Sequence, residues 1–213
     1  DRVGLCELFP LPHPHRKAGC SSGGHKGEKE GVKVLLHVCC VNCLLYPLKA
    51  LQREGVEVWG FFYNPNIHPY QEYARRRDAL KEYVERIGLR MIWRDSYDLE
   101  KFLQAVVFRE GKRCQICYHM RLEATAQVAR HGRFDAFSTT MLYSKHQKFS
   151  LVADIGEALG RQYGVKFLLR DFREGWREGI EESKALGLYR QQYCGCIYSE
   201  KERFYPRKKD ESP

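Results

Sequence analysis

No window of this chain comes near the roughly 20 consecutive apolar residues that a membrane-spanning helix needs. Its N-terminal stretch also lacks the apolar core of a secretory leader. Both absences lead to the expectation of a cytoplasmic protein with no membrane partner. A third absence concerns chemistry: no SGGxDS-like pyrophosphate loop follows any strand-like run, and the loop after the first such run holds no glycine. The glycine-rich cradle expected for nucleotide phosphates is therefore missing, which predicts activity without an ATP requirement.

Cysteine, by contrast, is plentiful. Seven of the nine fall into three tight groups: Cys39-Cys40-Val41-Asn42-Cys43, Cys114-Gln115-Ile116-Cys117 and Cys194-Gly195-Cys196. In a reducing compartment such clusters are metal ligands or catalytic thiols rather than structural disulfides, and an odd total agrees with that. The 213 residues, 43% apolar and 30% charged, suit a single globular domain that buries a core without disulfide staples.

The formal net charge is +9. Residues 1–30 carry five basic and four acidic side chains and residues 207–213 carry three and two, so +7 of the +9 belongs to the body between them. A basic body suits an anionic partner, nucleic acid above all, although a generic solvated surface has the same composition. Residues 1–30, rich in Gly, Pro, His and Ser without apolar periodicity, read as a flexible extension. The remainder divides into one α/β domain, 31–206, and a short tail, 207–213.

Within the domain, short apolar runs alternate with longer amphipathic stretches. Strands are expected at 32–38, 56–63, 89–93, 134–138 and 165–169. Helices are expected at 44–53, 71–87, 99–108, 118–130, 151–163 and about 174–186. This alternation predicts an α/β fold with a doubly wound, mainly parallel sheet. In such sheets ligands bind beyond the carboxyl ends of the strands, and every strand here ends in capable side chains: Cys39-Cys40, Asn64 to His68, Asp95 to Asp98, Ser138 to Ser144, and Arg170 to Arg173.

Cys39, Cys40 and Cys43 sit where a strand turns into a helix, so the helix dipole favours their thiolates. Burial as small apolar residues is the bland alternative, but three cysteines in five residues at a strand end argue against it. Cys114 and Cys117 open a helix, and two such pairs provide four thiolates, enough for a [4Fe–4S] cluster or a structural zinc. A Cys-Cys dyad at the active edge of a parallel sheet fits the cluster better. Cys194 and Cys196, joined through one glycine, would form a strained, easily reduced disulfide, which suits a cycling dithiol; a further ligand pair is the alternative. His68, Asp95, Asp98 and Asp171 could orient substrate, move protons, bind iron or merely cap helices. Arg75-Arg76-Arg77 could meet phosphates, with a solvated helical face the commoner explanation.

The segments LLHVCCVNC, FFYNPNIHPYQEY, GKRCQICYHMRLEATA, FSTTMLYS and LGLYRQQYCGCIYSE, which together span residues 32 to 205, resemble the cobalamin-independent epoxyqueuosine reductases of the QueH family. The resemblance implies reduction of the epoxide of epoxyqueuosine in the anticodon loop of a tRNA. It also implies a nucleotide alpha-hydrolase (HUP-like) sheet, an iron–sulfur cluster on Cys39, Cys40, Cys114 and Cys117, and a redox-active pair at Cys194 and Cys196. An additional iron is expected near the cluster, with Cys43 and Asp98 as candidate ligands, and an electron donor of unspecified identity is required. The family's usual Ala-Pro before the third cysteine is Val41-Asn42 here, a change expected to alter loop stiffness more than chemistry. Two other readings stand beside this one. An iron–sulfur tRNA thiolation enzyme would need ATP and its pyrophosphate loop; a zinc-stabilised, non-catalytic RNA-binding domain would be colourless.

Overall fold

A computed structural model of the chain describes residues 31–206. The extension expected over 1–30 and the tail over 207–213 lie outside those residues. Five parallel strands form one sheet: β1 (Lys33–His37), β2 (Glu57–Phe62), β3 (Met91–Trp93), β4 (Ala136–Thr139) and β5 (Lys166–Phe167), in the order β3-β2-β1-β4-β5. The helices between and after them are α1 (Val41–Arg53), α2 (Tyr70–Ile87), α3 (Leu99–Val106), α4 (Arg113–His131), α5 (Phe149–Tyr163), α6 (Trp176–Ala185) and α7 (Ile197–Phe204).

The central strand carries a continuous, fully buried apolar run, as a strand covered by helices on both faces must. Val34, Leu35 and Leu36 of β1 are fully buried, and Leu35 stands in register with Trp59 of β2 and Phe137 of β4. Leu44, Leu45 and Leu51 on α1, Phe102 on α3 and Leu122 on α4 close over the sheet. Each such side chain contributes about 2 kcal/mol by leaving water. Gly88 ends α2 in a left-handed conformation (φ 66°) that a side chain would resist.

All eleven expected elements are present. The edge strands β3 and β5 are shorter than the apolar runs that encode them, because an edge strand has a neighbour on one side only. One helix was not expected: α7 follows Cys196 and carries no buried residue, so it lacks the apolar periodicity that marks a helix in sequence.

The chain lays down β1, β2 and β3 in one direction, then returns to place β4 and β5 on the other side of β1. The carboxyl ends of β1 and β4 therefore flank the point where the winding reverses, which is where doubly wound sheets open a crevice. Cys39 leaves β1 at that crevice and Thr140 leaves β4 beside it.

Candidate metal and thiol site

Register alone brings Cys39 and Thr140 together, because His37 pairs with Thr139 across the β1–β4 ladder. The Cys39 amide donates to the Thr140 hydroxyl at 3.2 Å, and that hydroxyl donates to the Cys39 sulfur at 3.4 Å. Beneath them the His37 ring spans from the Thr139 hydroxyl (3.0 Å) to the Tyr63 carbonyl (3.1 Å). Burial lowers its pKa to about 3, so the imidazole is neutral.

The sulfurs of Cys39, Cys40 and Cys43 lie within 4.8 Å of one another, and among the described residues they are the one group of three potential metal ligands so close. Val41 begins α1, so Cys40 is its N-cap and Cys43 lies in its first turn, one helical step below. The dipole does not make all three thiols acidic, contrary to the sequence expectation. Hydrogen bonding from Cys40 and Cys43, aided by Arg121 and Thr140, pulls the Cys39 thiol down. Its partnership with Cys39 pushes Cys40 up to about 12, and the same contact, with that to Cys40, raises Cys43. Of the three, Cys39 is thus the one whose ionisation its neighbours favour.

A cavity of about 550 Å³ opens over this group, with Cys39, Cys43 and Cys194 in its lining beside Arg76 and Arg121. Four segments distant in sequence therefore face one space. Cys114 and Cys117 stand in the first turn of α4 and do not join the three-sulfur group. Their link to it is Arg121, one turn further along α4. Burial pushes Cys117 up to about 12 against a smaller downward pull from Arg121. The Cys196 thiol, with Arg121 contributing, holds Cys194 well below the ordinary thiol range, while the same partnership with Cys194 raises Cys196. Arg121 thus acts on Cys39, Cys117 and Cys194 together. Its own bonding is uneven: Nη1 reaches Asn64 Oδ1 at 3.4 Å, Nη2 donates to the Met141 sulfur at 2.6 Å, and Nε has no partner among the described residues.

Asp98 stands outside the three-sulfur group, at the N-cap of α3, where it accepts from the Ser96 hydroxyl at 3.0 Å. Asp95 pairs with Lys81 and Arg77 and accepts from Tyr73, and Asp171 pairs with Arg173, so both have structural partners. His68 is buried; its Nε2 lies 3.1 Å from the Pro65 carbonyl, which places the ring proton there, and burial lowers its pKa. It holds no spare proton near neutral pH.

Sequence reasoning missed several residues. Gln191 donates to the sulfurs of Cys40 (3.0 Å) and Cys43 (3.9 Å). Asn42 holds Gln191 in place, donating to its Oε1 at 2.7 Å and to the Tyr189 carbonyl at 2.8 Å, while accepting from Ser183. Asn42 thus links Gln191 to the start of α1 through its side chain. Arg76 is 2% exposed, not part of a solvated face. In sequence its only signal is its place among three arginines, which suggests the opposite.

Known proteins match most of this chain. The family model described as epoxyqueuosine reductase QueH matches residues 34–202. The chain belongs to that family. A relative of the same description from Dehalococcoides mccartyi is 40% identical over 172 residues, covering 81% of this chain and 94% of its own. Another, from Thermotoga maritima, is 39% identical over 179 residues, covering 80% and 91%. Among solved structures, the U34-tRNA thiolase NcsA from Methanococcus maripaludis, described with its [4Fe–4S] cluster, superposes with a TM-score of 0.53 at 16% identity. That likeness spans 80% of this chain and 62% of the thiolase and shows the shared fold alone. The chain is thus an oxidoreductase of tRNA processing with a cysteine group able to hold a metal. No described helix is long and apolar enough to cross a membrane.

Proposed function

We propose that this chain reduces the epoxide of epoxyqueuosine in a tRNA anticodon loop to the alkene of queuosine. The observation that carries the reading is the convergence of the Cys39–Cys40–Cys43 group and Cys194 on one cavity. The reduction takes up two electrons and two protons and releases the epoxide oxygen as water. Oxidation of the Cys194 and Cys196 thiols to a disulfide yields two electrons and two protons, so epoxide plus dithiol balances alkene, water and disulfide. An external reductant then restores the dithiol.

Three soft sulfur donors within 4.8 Å fit an iron–sulfur centre. Cys39 and Cys40, with Cys114 and Cys117 from α4, are proposed to hold a [4Fe–4S] cluster, leaving Cys43 for an additional iron. When bound, the cluster supplies electrons one at a time. Arg121, a buried cation whose Nε has no partner among the described residues, offsets the negative charge that thiolate ligation brings. Trp176, tilted against Tyr143 with ring centroids 5.2 Å apart, forms an aromatic wall of the cavity against which a splayed base can lie. The basic body, +7 over residues 31–206, supports tRNA as the partner and the cytoplasm as the place.

The test is anaerobic reconstitution with iron and sulfide, followed by assay on epoxyqueuosine-containing tRNA with a chemical reductant. A brown protein with broad absorption near roughly 400 nm and alkene product is the expected result. A colourless protein that retains zinc, or a loaded one that leaves the epoxide intact, sinks the reading.

A further inference from the structure

Arg76 projects from α2 between the exposed Arg75 and the half-buried Arg77, yet it is itself enclosed. Its Nε donates to Glu72 Oε1 at 2.7 Å, one turn back on the same helix. The other two nitrogens reach 117 and 118 residues away in sequence: Nη2 donates to the Tyr193 carbonyl and Nη1 to the Cys194 carbonyl, both at 2.9 Å. The next carbonyl, of Gly195, accepts from the His68 amide at 2.8 Å. Three successive carbonyls of the Tyr193-Cys194-Gly195 turn are therefore pinned.

The surroundings reinforce the pin. The second Glu72 oxygen accepts from the Tyr189 hydroxyl, and the Tyr193 hydroxyl donates to the His68 carbonyl. The Tyr193 ring faces the Arg76 guanidinium at 5.4 Å. Gly195 has φ 138°, and a Cβ there would sit 3.3 Å from Arg76 Nη1 and 3.1 Å from Ile67 Cγ1, so only glycine lets the turn lie this close. The result is a turn that exposes Cys194 and buries Cys196.

We propose that the Glu72–Arg76 pair is a positioning clamp that holds this turn in its dithiol form and so sets the equilibrium between the Cys194/Cys196 dithiol and its disulfide. The inference rests on the dithiol reading above. A disulfide between cysteines separated by one glycine relieves its strain by twisting the Gly195 backbone. That twist swings the Cys194 carbonyl away from the planar fork of Arg76, whose two nitrogens match two fixed acceptors. The clamp therefore opposes oxidation and keeps the disulfide readily reducible. Arg76 acts here through the turn it holds.

The experiment uses the full chain purified anaerobically and equilibrated in glutathione buffers of graded ratio, with the Cys194–Cys196 disulfide read by alkylation and mass. Arg76→Lys keeps the charge but loses the fork. It is expected to shift the equilibrium about tenfold toward disulfide, about 30 mV for a two-electron couple. Alkylation of the buried Cys196 in the reduced protein is expected to quicken by a similar factor. Tyr189→Phe, milder, should move both readouts less in the same direction. Leu80→Ala, on the same helix, should lower thermal stability without moving either. An unchanged ratio, or a shift toward dithiol, in folded Arg76→Lys overturns the clamp. Absence of any wild-type disulfide at every ratio refutes the dithiol reading instead, and Cys196 protection then still shows whether Arg76 holds the turn.

Discussion

Gln191 Nε2 donates to Cys40 Sγ at 3.0 Å across 151 residues of sequence. Hydrogen bonds to cluster sulfurs stabilise the reduced, more negative state. Gln191→Leu is therefore expected to lower the reduction potential of the reconstituted centre by roughly 40 mV, the equivalent of about 1 kcal/mol for one neutral hydrogen bond and one electron. A potentiometric titration followed by absorbance checks this, and an unshifted midpoint would remove Gln191 from the centre.

Arg121 is buried with its Nε unpartnered among the described residues, which costs stability in the metal-free protein. Arg121→Met should raise the metal-free unfolding free energy by about 1 kcal/mol while the reconstituted protein loses iron faster. Denaturant melts and iron retention on a desalting column give the two readouts. A variant that is no more stable yet binds iron normally contradicts the role given to this cation.

Cys194 has its thiol held well below the ordinary thiol range by Cys196 and faces the cavity. Cys194→Ser should leave absorbance of the reconstituted centre unchanged but reduce multiple turnover at least tenfold. Undiminished turnover would show that the pair carries no reducing equivalents.

Burial lowers the His68 pKa below its ordinary 6.5, opposed by its bond to Pro65. As pH falls through 6.5 the unfolded chain takes up a proton that the folded one refuses, so stability present above that pH is lost on acidification. The slope this one group adds is at most about 1.4 kcal/mol per pH unit. His68→Gln should flatten the decline of urea midpoints between pH 7 and 5, and parallel declines would place the acid sensitivity elsewhere.

Three phosphate contacts on single-stranded RNA give a logarithmic salt slope of about −2. Raising potassium chloride from about 50 to 200 mM should therefore weaken tRNA binding roughly 20-fold. An affinity indifferent to salt would deny the basic body its role.

The elements were legible because they follow from local patterns. VKVLLHV is apolar on both faces and becomes the central strand, and the 3.6-residue period of α2 and α5 marks their buried sides. The sulfur groups were equally plain, since spacing within five residues is a property of the sequence itself. α7 was missed because it buries no residue and so shows no apolar period, and Arg76 was misread for a separate reason. A side chain is enclosed by whatever packs against it, and the segment that encloses Arg76 arrives more than a hundred residues later.

The sequence by itself determined which atoms can bind metal and carry electrons, because tight cysteine spacing and the strand-to-helix turn are written into neighbouring residues. Only the tertiary structure decided how those atoms are governed: that Cys39 is the thiol its neighbours pull down, that Gln191, held by Asn42, reaches Cys40 and Cys43, that Arg121 acts on three sulfurs, and that Arg76 grips the Cys194 turn. The physical reason is range. Helix and strand periods act over a few residues, whereas a hydrogen bond or a buried charge acts on whatever the fold brings within a few ångströms, however far apart in the chain.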